Sequence, residues 1–243
     1  MVVRIDIELA AKDAIRPAKR GDLIIVIDVL RATTSIVTAL ANGAKSVIPT
    51  ATVKEAFKIG KEHPAYLLVG ERNDHKPRGF DFGNSPETLT NGSIQGKNII
   101  LTTTNGTKAL IKSEESDCVA IGAFLNAKAV ARKTAEIAGK KGTDITFVLA
   151  GEKSHFSLED FLCAGAITAR FPKSTVELSD KTAGALLAFK GAIHELLESI
   201  RNCKHAQDLV KKGFSRDVDF SGQLDIYDIV PFFRNGKAIS LSS

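Results

Sequence analysis

The stretch Leu23-Ile24-Ile25-Val26-Ile27-Asp28-Val29 is almost unbroken apolar sequence rich in β-branched residues, interrupted by one carboxylate near its end. Such a run suits a strand buried on both faces, as in a parallel sheet. A short polar segment follows, RATTS (31–35), and then IVTALANGA (36–44). There Ile36, Val37, Leu40 and Ala41 share one helical face, and Gly43 is placed to close the helix in a left-handed conformation.

The same order of strand, polar turn and helix recurs outward from this unit. The sequence predicts strands over 46–48, 66–69, 98–103, 118–121 and 144–149, and helices over 53–62, from Lys108, after Asn126, and after Ser157. Alternation of this kind indicates a layered α/β sandwich with a mostly parallel sheet. After Ser179 the pattern becomes helical to about Lys212, and IVPFFRNGKAIS (229–240) reads as a hairpin turning at Asn235-Gly236. The C-terminal third is therefore expected to be a helical and antiparallel extension on the same sheet. With no Pro/Ser-rich linker and no repeat, one domain over residues 1–243 is expected.

Composition agrees with a folded protein of this size. The 243 residues are 44% hydrophobic and 25% charged, the mix of a soluble globular chain. No apolar run approaches the ~18–20 residues that span a bilayer. The opening MVVRIDIELAAKDA carries charge throughout, so no signal peptide or membrane partner is expected and the cytoplasm is the expected compartment. Cys118, Cys163 and Cys203 show no CxxC spacing, which argues against a disulfide framework or a zinc finger and for inert thiols. The net charge is +5, but the basic clusters are short (Lys140-Lys141, Lys211-Lys212) and read as solvated helix ends. There is no Trp to stack on bases. The positive balance fits small anionic ligands and no nucleic acid.

Ligands of open α/β sheets bind beyond the carboxyl ends of the strands. The polar residues expected there are Asp28, Arg31, Thr33, Thr34 and Ser35; Glu71 and Arg72; Thr103, Thr104, Asn105 and Thr107; and Glu152. Asp28 is expensive to bury unless it is paired or binds a metal; an ion pair with Arg31 and a cap on the next helix are the alternatives. RATTS and TTTNGT each bring hydroxyls to a helix start, where free N–H groups favour phosphate; plain N-capping by Thr33 or Thr34 competes with that reading. Asn105-Gly106 is expected to turn with positive φ. The stretch GERNDHKPRGFDFGNSP (70–86) reads as a long ordered loop whose Arg72, Lys76 and Arg78 could clamp a dianion, with His75 at the surface. Ser157 with Asp160 fits a capping box, and Cys163 reads as core.

Taken together, VIDVLRATTSIVTALANGA (26–44), GERNDHKPRGFDFGNSP (70–86), LTTTNGTKAL (101–110), FLNAKAVA (124–131), FSLEDFLCAGAI (156–167) and QLDIYDIVP (223–231) resemble, in order and spacing, the 2-phosphosulfolactate phosphatase family. The chain departs from the family pattern at Leu149 and Ser221, where cysteines are expected, and at Ser154 and Ala206, where glycines are. The first two replacements tell against a cysteine nucleophile there. The resemblance implies a Mg²⁺-dependent phosphatase with an α/β fold that converts (2R)-2-phospho-3-sulfolactate to sulfolactate, a step toward coenzyme M. Asp28 and Glu71 are the carboxylates expected to be catalytic and to hold Mg²⁺, which binds through few carboxylates plus phosphate and water. Expected substrate contacts are Arg31, Thr33, Thr34, Ser35, Arg72, Arg78, Asn84, Ser85, Thr104, Asn105, Gly106 and Thr107. The expected partner is a small anionic phosphomonoester, and a homo-oligomer is compatible with the sequence. A phosphatase for another small phosphorylated acid, or a catalytically silent anion-binding protein on this scaffold, are the alternatives.

Overall fold

In the computed structural model, which describes residues 2–151, 155–172 and 174–240, the strands are β1 (Val3–Glu8), β2 (Leu23–Ile27), β3 (Ser46–Thr50), β4 (Leu67–Gly70), β5 (Asn98–Thr102), β6 (Val119–Gly122), β7 (Ile145–Leu149), β8 (Val176–Leu178), β9 (Pro231–Arg234) and β10 (Lys237–Ser240). The helices are α1 (Ile15–Arg20), α2 (Ala32–Ala41), α3 (Val53–Glu62), α4 (Gly106–Lys112), α5 (Ala127–Lys141), α6 (Leu158–Thr168), α7 (Asp180–Ala192), α8 (Leu196–Arg201), α9 (Lys204–Lys211) and α10 (Ser215–Ser221). The strands form one sheet in the order β4-β5-β3-β10-β9-β6-β2-β7-β1-β8.

All five residues of β2 are buried because the sheet is covered on both faces. Leu23, Ile25 and Ile27 pack with Phe124, Leu162 and Ile167 from the α5–α6 side. Ile24 and Val26 point the other way, onto Ile36, Val37 and Leu40 of α2 and Leu110 of α4. Burying such a side chain is worth roughly 1.5–3 kcal/mol, so a two-faced strand draws helices to both sides. Gly43, at φ 89°, follows the end of α2 as expected. A third cluster, Ala56, Phe80 and Ile100, seats α3 on β5.

Two strands have no counterpart in the sequence reading. In β1 the sequence VRIDIE alternates, with Val3, Ile5 and Ile7 buried, and it pairs in parallel with β7 and β8. The charges at Arg4, Asp6 and Glu8 obscured that period of two. The three residues of β8 are too few to carry a pattern.

The C-terminal hairpin turns at Asn235 and Gly236, with φ of 51° and 72°. It enters the middle of the sheet: β9 pairs antiparallel with β6, and β10 antiparallel with β3. Because the hairpin itself is antiparallel, the group β3, β5, β4 runs opposite to the group β6, β2, β7, β1, β8. Asp28, Glu71 and Thr103, each the residue that follows the carboxyl end of its strand, nevertheless border one cavity. Residues 71–85 and 103–106 bring the candidates from the β3, β5, β4 group to it. Among the described residues, no helix is long and apolar enough to cross a membrane.

Candidate active site

The site begins at the end of β2. Asp28 is buried, and its Oδ1 accepts the Ala32 N–H at 3.1 Å, capping α2. The cap is thus the structural role realised; Arg31 pairs elsewhere. Burial pushes the Asp28 carboxyl up to about 6; Ala32 and His205 pull it down, and Glu71 and Glu159 add to the rise. Thr33 and Thr34 lie inside the first turn of α2 and do not cap it. Their hydroxyls donate to the Asp28 and Val29 carbonyls at 2.9 and 2.7 Å, bracing the bend. The Ser35 hydroxyl donates to the Asn84 carbonyl at 3.4 Å.

Gly106 opens α4 against this bend. A Cβ there would stand 2.4 Å from both Asp28 Oδ2 and the Ala32 Cβ, so only glycine permits the approach. The expected positive φ at Asn105 is not seen; its φ is −123°. Glycine is required for clearance, not for turning. Thr107 is bonded back to Thr103, its N–H donating to the Thr103 hydroxyl and its own hydroxyl to the Thr103 carbonyl, each at 3.1 Å.

Glu71 follows β4 and is buried. Its Oε1 accepts from the Thr104 N–H at 2.7 Å and the Thr104 hydroxyl at 2.9 Å, and its Oε2 accepts from the Asp74 N–H at 2.9 Å. Arg31 donates to Asp217 at 2.5 Å and to the Asp74 carbonyl at 3.2 Å, with its guanidinium 4.4 Å from the centre of the Phe214 ring. Ser85 donates to the other oxygen of Asp217 at 2.6 Å. The loop 71–85 is thereby tied to α2 and α10.

These groups border a cavity of about 110 Å³ that Asp28, Arg31, Glu71, Asn84, Thr104 and Asn105 line together. Thr33, Thr34, Ser35, Ser85, Gly106 and Thr107 are not among its lining residues. Arg72 and Arg78 stand outside it. Arg72 donates to the Glu71 and Ala51 carbonyls and to the Thr102 hydroxyl, and Arg78 is exposed. Glu152 and Ser154 lie outside the described residues.

Sequence reasoning missed the opposite wall. His205, Asp208 and Lys212 also line the cavity, and Lys212 bonds Asp74. Lys212 is a site cation and not merely a solvated helix end. Its signal was the spacing of 205, 208 and 212 on one helical face. The sequence reads Asp160 as a capping residue. The Ser157 hydroxyl does accept the Asp160 N–H at 3.3 Å, but the Asp160 carboxylate accepts from Val29 N–H at 2.8 Å and Gly151 N–H at 3.2 Å. Burial first, then Glu159 and Asp28, raise its pKa well above the usual range. The three cysteines are free, as expected. Burial raises each thiol, Cys203 to about 12.

Among the described residues, no three His, Cys, Asp or Glu side chains are grouped to hold a metal ion. A hard cation would nevertheless find oxygen donors here. Besides Asp28 and Glu71, the Asn84 Oδ1 is buried without a hydrogen-bond partner. A buried, unsatisfied carbonyl oxygen beside two carboxylates fits the oxygen-only preference of Mg²⁺.

Buried carboxylates, a fixed guanidinium and an ammonium around one small cavity define an α/β protein built to handle a small, multiply charged anion. The sequence profile of the family described as 2-phosphosulpholactate phosphatase matches residues 9–236, and the chain belongs to that family. A Thermotoga petrophila protein named "Probable 2-phosphosulfolactate phosphatase" is 44% identical over 217 residues, covering 88% of this chain and 90% of its own. Proteins of the same name from Clostridium beijerinckii and Clostridium acetobutylicum are each 36% identical, over 97% and 98% of this chain and 98% and 100% of theirs.

Proposed function

We propose that this protein is a Mg²⁺-dependent phosphatase that hydrolyses (2R)-2-phospho-3-sulfolactate to 3-sulfolactate and phosphate, acting in the cytoplasm on a step toward coenzyme M. The observation that carries this reading is the single cavity holding Asp28, Glu71 and the unsatisfied Asn84 oxygen next to Arg31 and Lys212, in a chain of this family. Asp28, Glu71 and Asn84 would hold Mg²⁺, which supplies charge neutralisation at a phosphoryl group. The Thr104 and Asp74 N–H groups orient Glu71, and the α2 start orients Asp28, so neither carboxylate reorganises when a substrate arrives.

The substrate carries phosphate, carboxylate and sulfonate. Among the described residues Arg31 and Lys212 line the cavity as cations, and the anion-reading role expected of Arg72 and Arg78 falls to them. The backbone around Thr104, Asn105 and Gly106 forms the phosphate side. The decisive experiment measures phosphate release from phosphosulfolactate beside 2-phospholactate and 2-phosphoglycerate, with and without Mg²⁺. Release that needs Mg²⁺ and is fastest with phosphosulfolactate is expected. Preference for another ester would reassign the substrate, and no release from any would leave an anion-binding protein.

A further inference from the structure

His205 stands on α9 with Asp208, and with Lys212 at the helix C-cap it lines the cavity. Its Nδ1 lies 3.3 Å from Glu159 Oε1 at the start of α6. That carboxylate is 3% exposed and the imidazole 18%. Burial pushes the Glu159 carboxyl up, but the His205 hydrogen bond, with smaller contributions from the α6 start, His205 charge and Ser157, holds it below its usual range. A buried carboxylate on Nδ1 fixes the tautomer and stabilises an imidazolium. The proton such a ring gives to a bound ligand is the one on Nε2.

The reaction needs such a group. The leaving oxygen of a 2-hydroxy acid ester is an alkoxide, a poor leaving group unless protonated. Four other charged side chains of the cavity are engaged otherwise. Arg31 keeps its protons and is bound to Asp217. Lys212 is ion-paired with Asp74, and Glu71 accepts three hydrogen bonds. Asp28 is an oxygen donor for the metal in the reading above.

We propose that His205 is the general-acid catalytic residue of this site and Glu159 its positioning residue, an inference that rests on the phosphatase reading. As the P–O ester bond breaks, its electron pair passes to the ester oxygen, which takes the His205 Nε2 proton. Phosphorus gains the oxygen of the attacking water, and the proton that water releases restores the imidazolium.

The test compares phosphosulfolactate with p-nitrophenyl phosphate, whose phenolate leaves without protonation. His205→Gln should lower kcat on the alkyl ester about 10²–10⁴-fold and affect the aryl ester far less. Glu159→Gln should follow the same pattern more weakly, with KM little changed. His205→Ala should regain alkyl-ester turnover with added imidazole. Equal losses on both esters overturn the assignment. Where the wild type leaves the aryl ester untouched, failure of imidazole to raise the His205→Ala rate overturns it. Wild-type protein silent on every ester overturns the phosphatase reading instead.

Discussion

The two walls of the cavity are built differently. One wall is made of strand ends and helix starts: Asp28 bonded to the Ala32 N–H, Glu71 bonded to Thr104 and Asp74, and Gly106 set against Asp28. The other is one face of α9 and its C-cap, where His205 meets Glu159 and Lys212 meets Asp74 side chain to side chain. Backbone donors hold the first wall, so its side chains cannot shift without moving the sheet. Side chains on a partly exposed helix form the second. In the mechanism proposed above, chemistry that needs fixed geometry falls to the first wall, and ligand reading and proton transfer to the second.

The largest expected effect lies in the first wall. Asp28→Asn and Glu71→Gln should each lower Mg²⁺-dependent phosphate release by roughly 10³-fold or more, the several kcal/mol that metal stabilisation supplies, with circular dichroism unchanged. A loss of only a few-fold in both would remove this wall from the chemistry. Next is stability. Arg31→Ala leaves Asp217 buried and unpaired, at a cost of about 3–5 kcal/mol. Lys212→Ala breaks a partly exposed pair and should cost about 1 kcal/mol or less. Urea denaturation of the two variants side by side tests whether the walls differ in rigidity as described.

The pH dependence of Asp28 sharpens the comparison further. Its folded pKa is raised from 3.8 to about 6. Its contribution to stability is therefore full below about pH 3.8 and is lost as pH rises through 6. At about 1.4 kcal/mol per unit, the metal-free wild type should lose on the order of 3 kcal/mol relative to Asp28→Asn between pH 4 and 7. Added Mg²⁺ should recover part of it. Parallel pH profiles of the two proteins would remove this strain from Asp28.

The smallest effects concern ligand reading. Lys212→Ala should reduce kcat/KM for phosphosulfolactate roughly 10- to 150-fold, the worth of a charge-assisted hydrogen bond, and less for 2-phospholactate. Arg78→Ala should change it less than about two-fold. If Arg78 mattered more than Lys212, the ligand would lie outside the cavity.

Much of this was legible in sequence because it is local. The burial of LIIVI, the turn at Asn235-Gly236 and the carboxylates after two strands each follow from neighbours in the chain. The family segments reach from 26 to 231, within the profile match of 9–236. The hairpin's place between β3 and β6 was not legible, since no local pattern encodes a partner as far away as Val47 is from Ala238. The same limit hid the second wall. His205 has meaning only once α9 is laid against Glu159, and Asp160 reads as a cap until Val29 is seen donating to it. The hydroxyls of Thr33 and Thr34 misled in the other direction. They face their own turn, because a bend after a buried strand must satisfy its carbonyls before it can serve a ligand.

The inserted hairpin also sets the order of events during synthesis. Residues 231–240 follow every strand they join, so a nascent chain has made β3 and β6 long before the segment that separates them emerges. Until then two half-sheets coexist on one polypeptide, each with an open flank of unpaired N–H and C=O groups. Closure is the late step, and it seals both flanks at once. A ribosome pausing just before Pro231 would hold the protein in its most association-prone state.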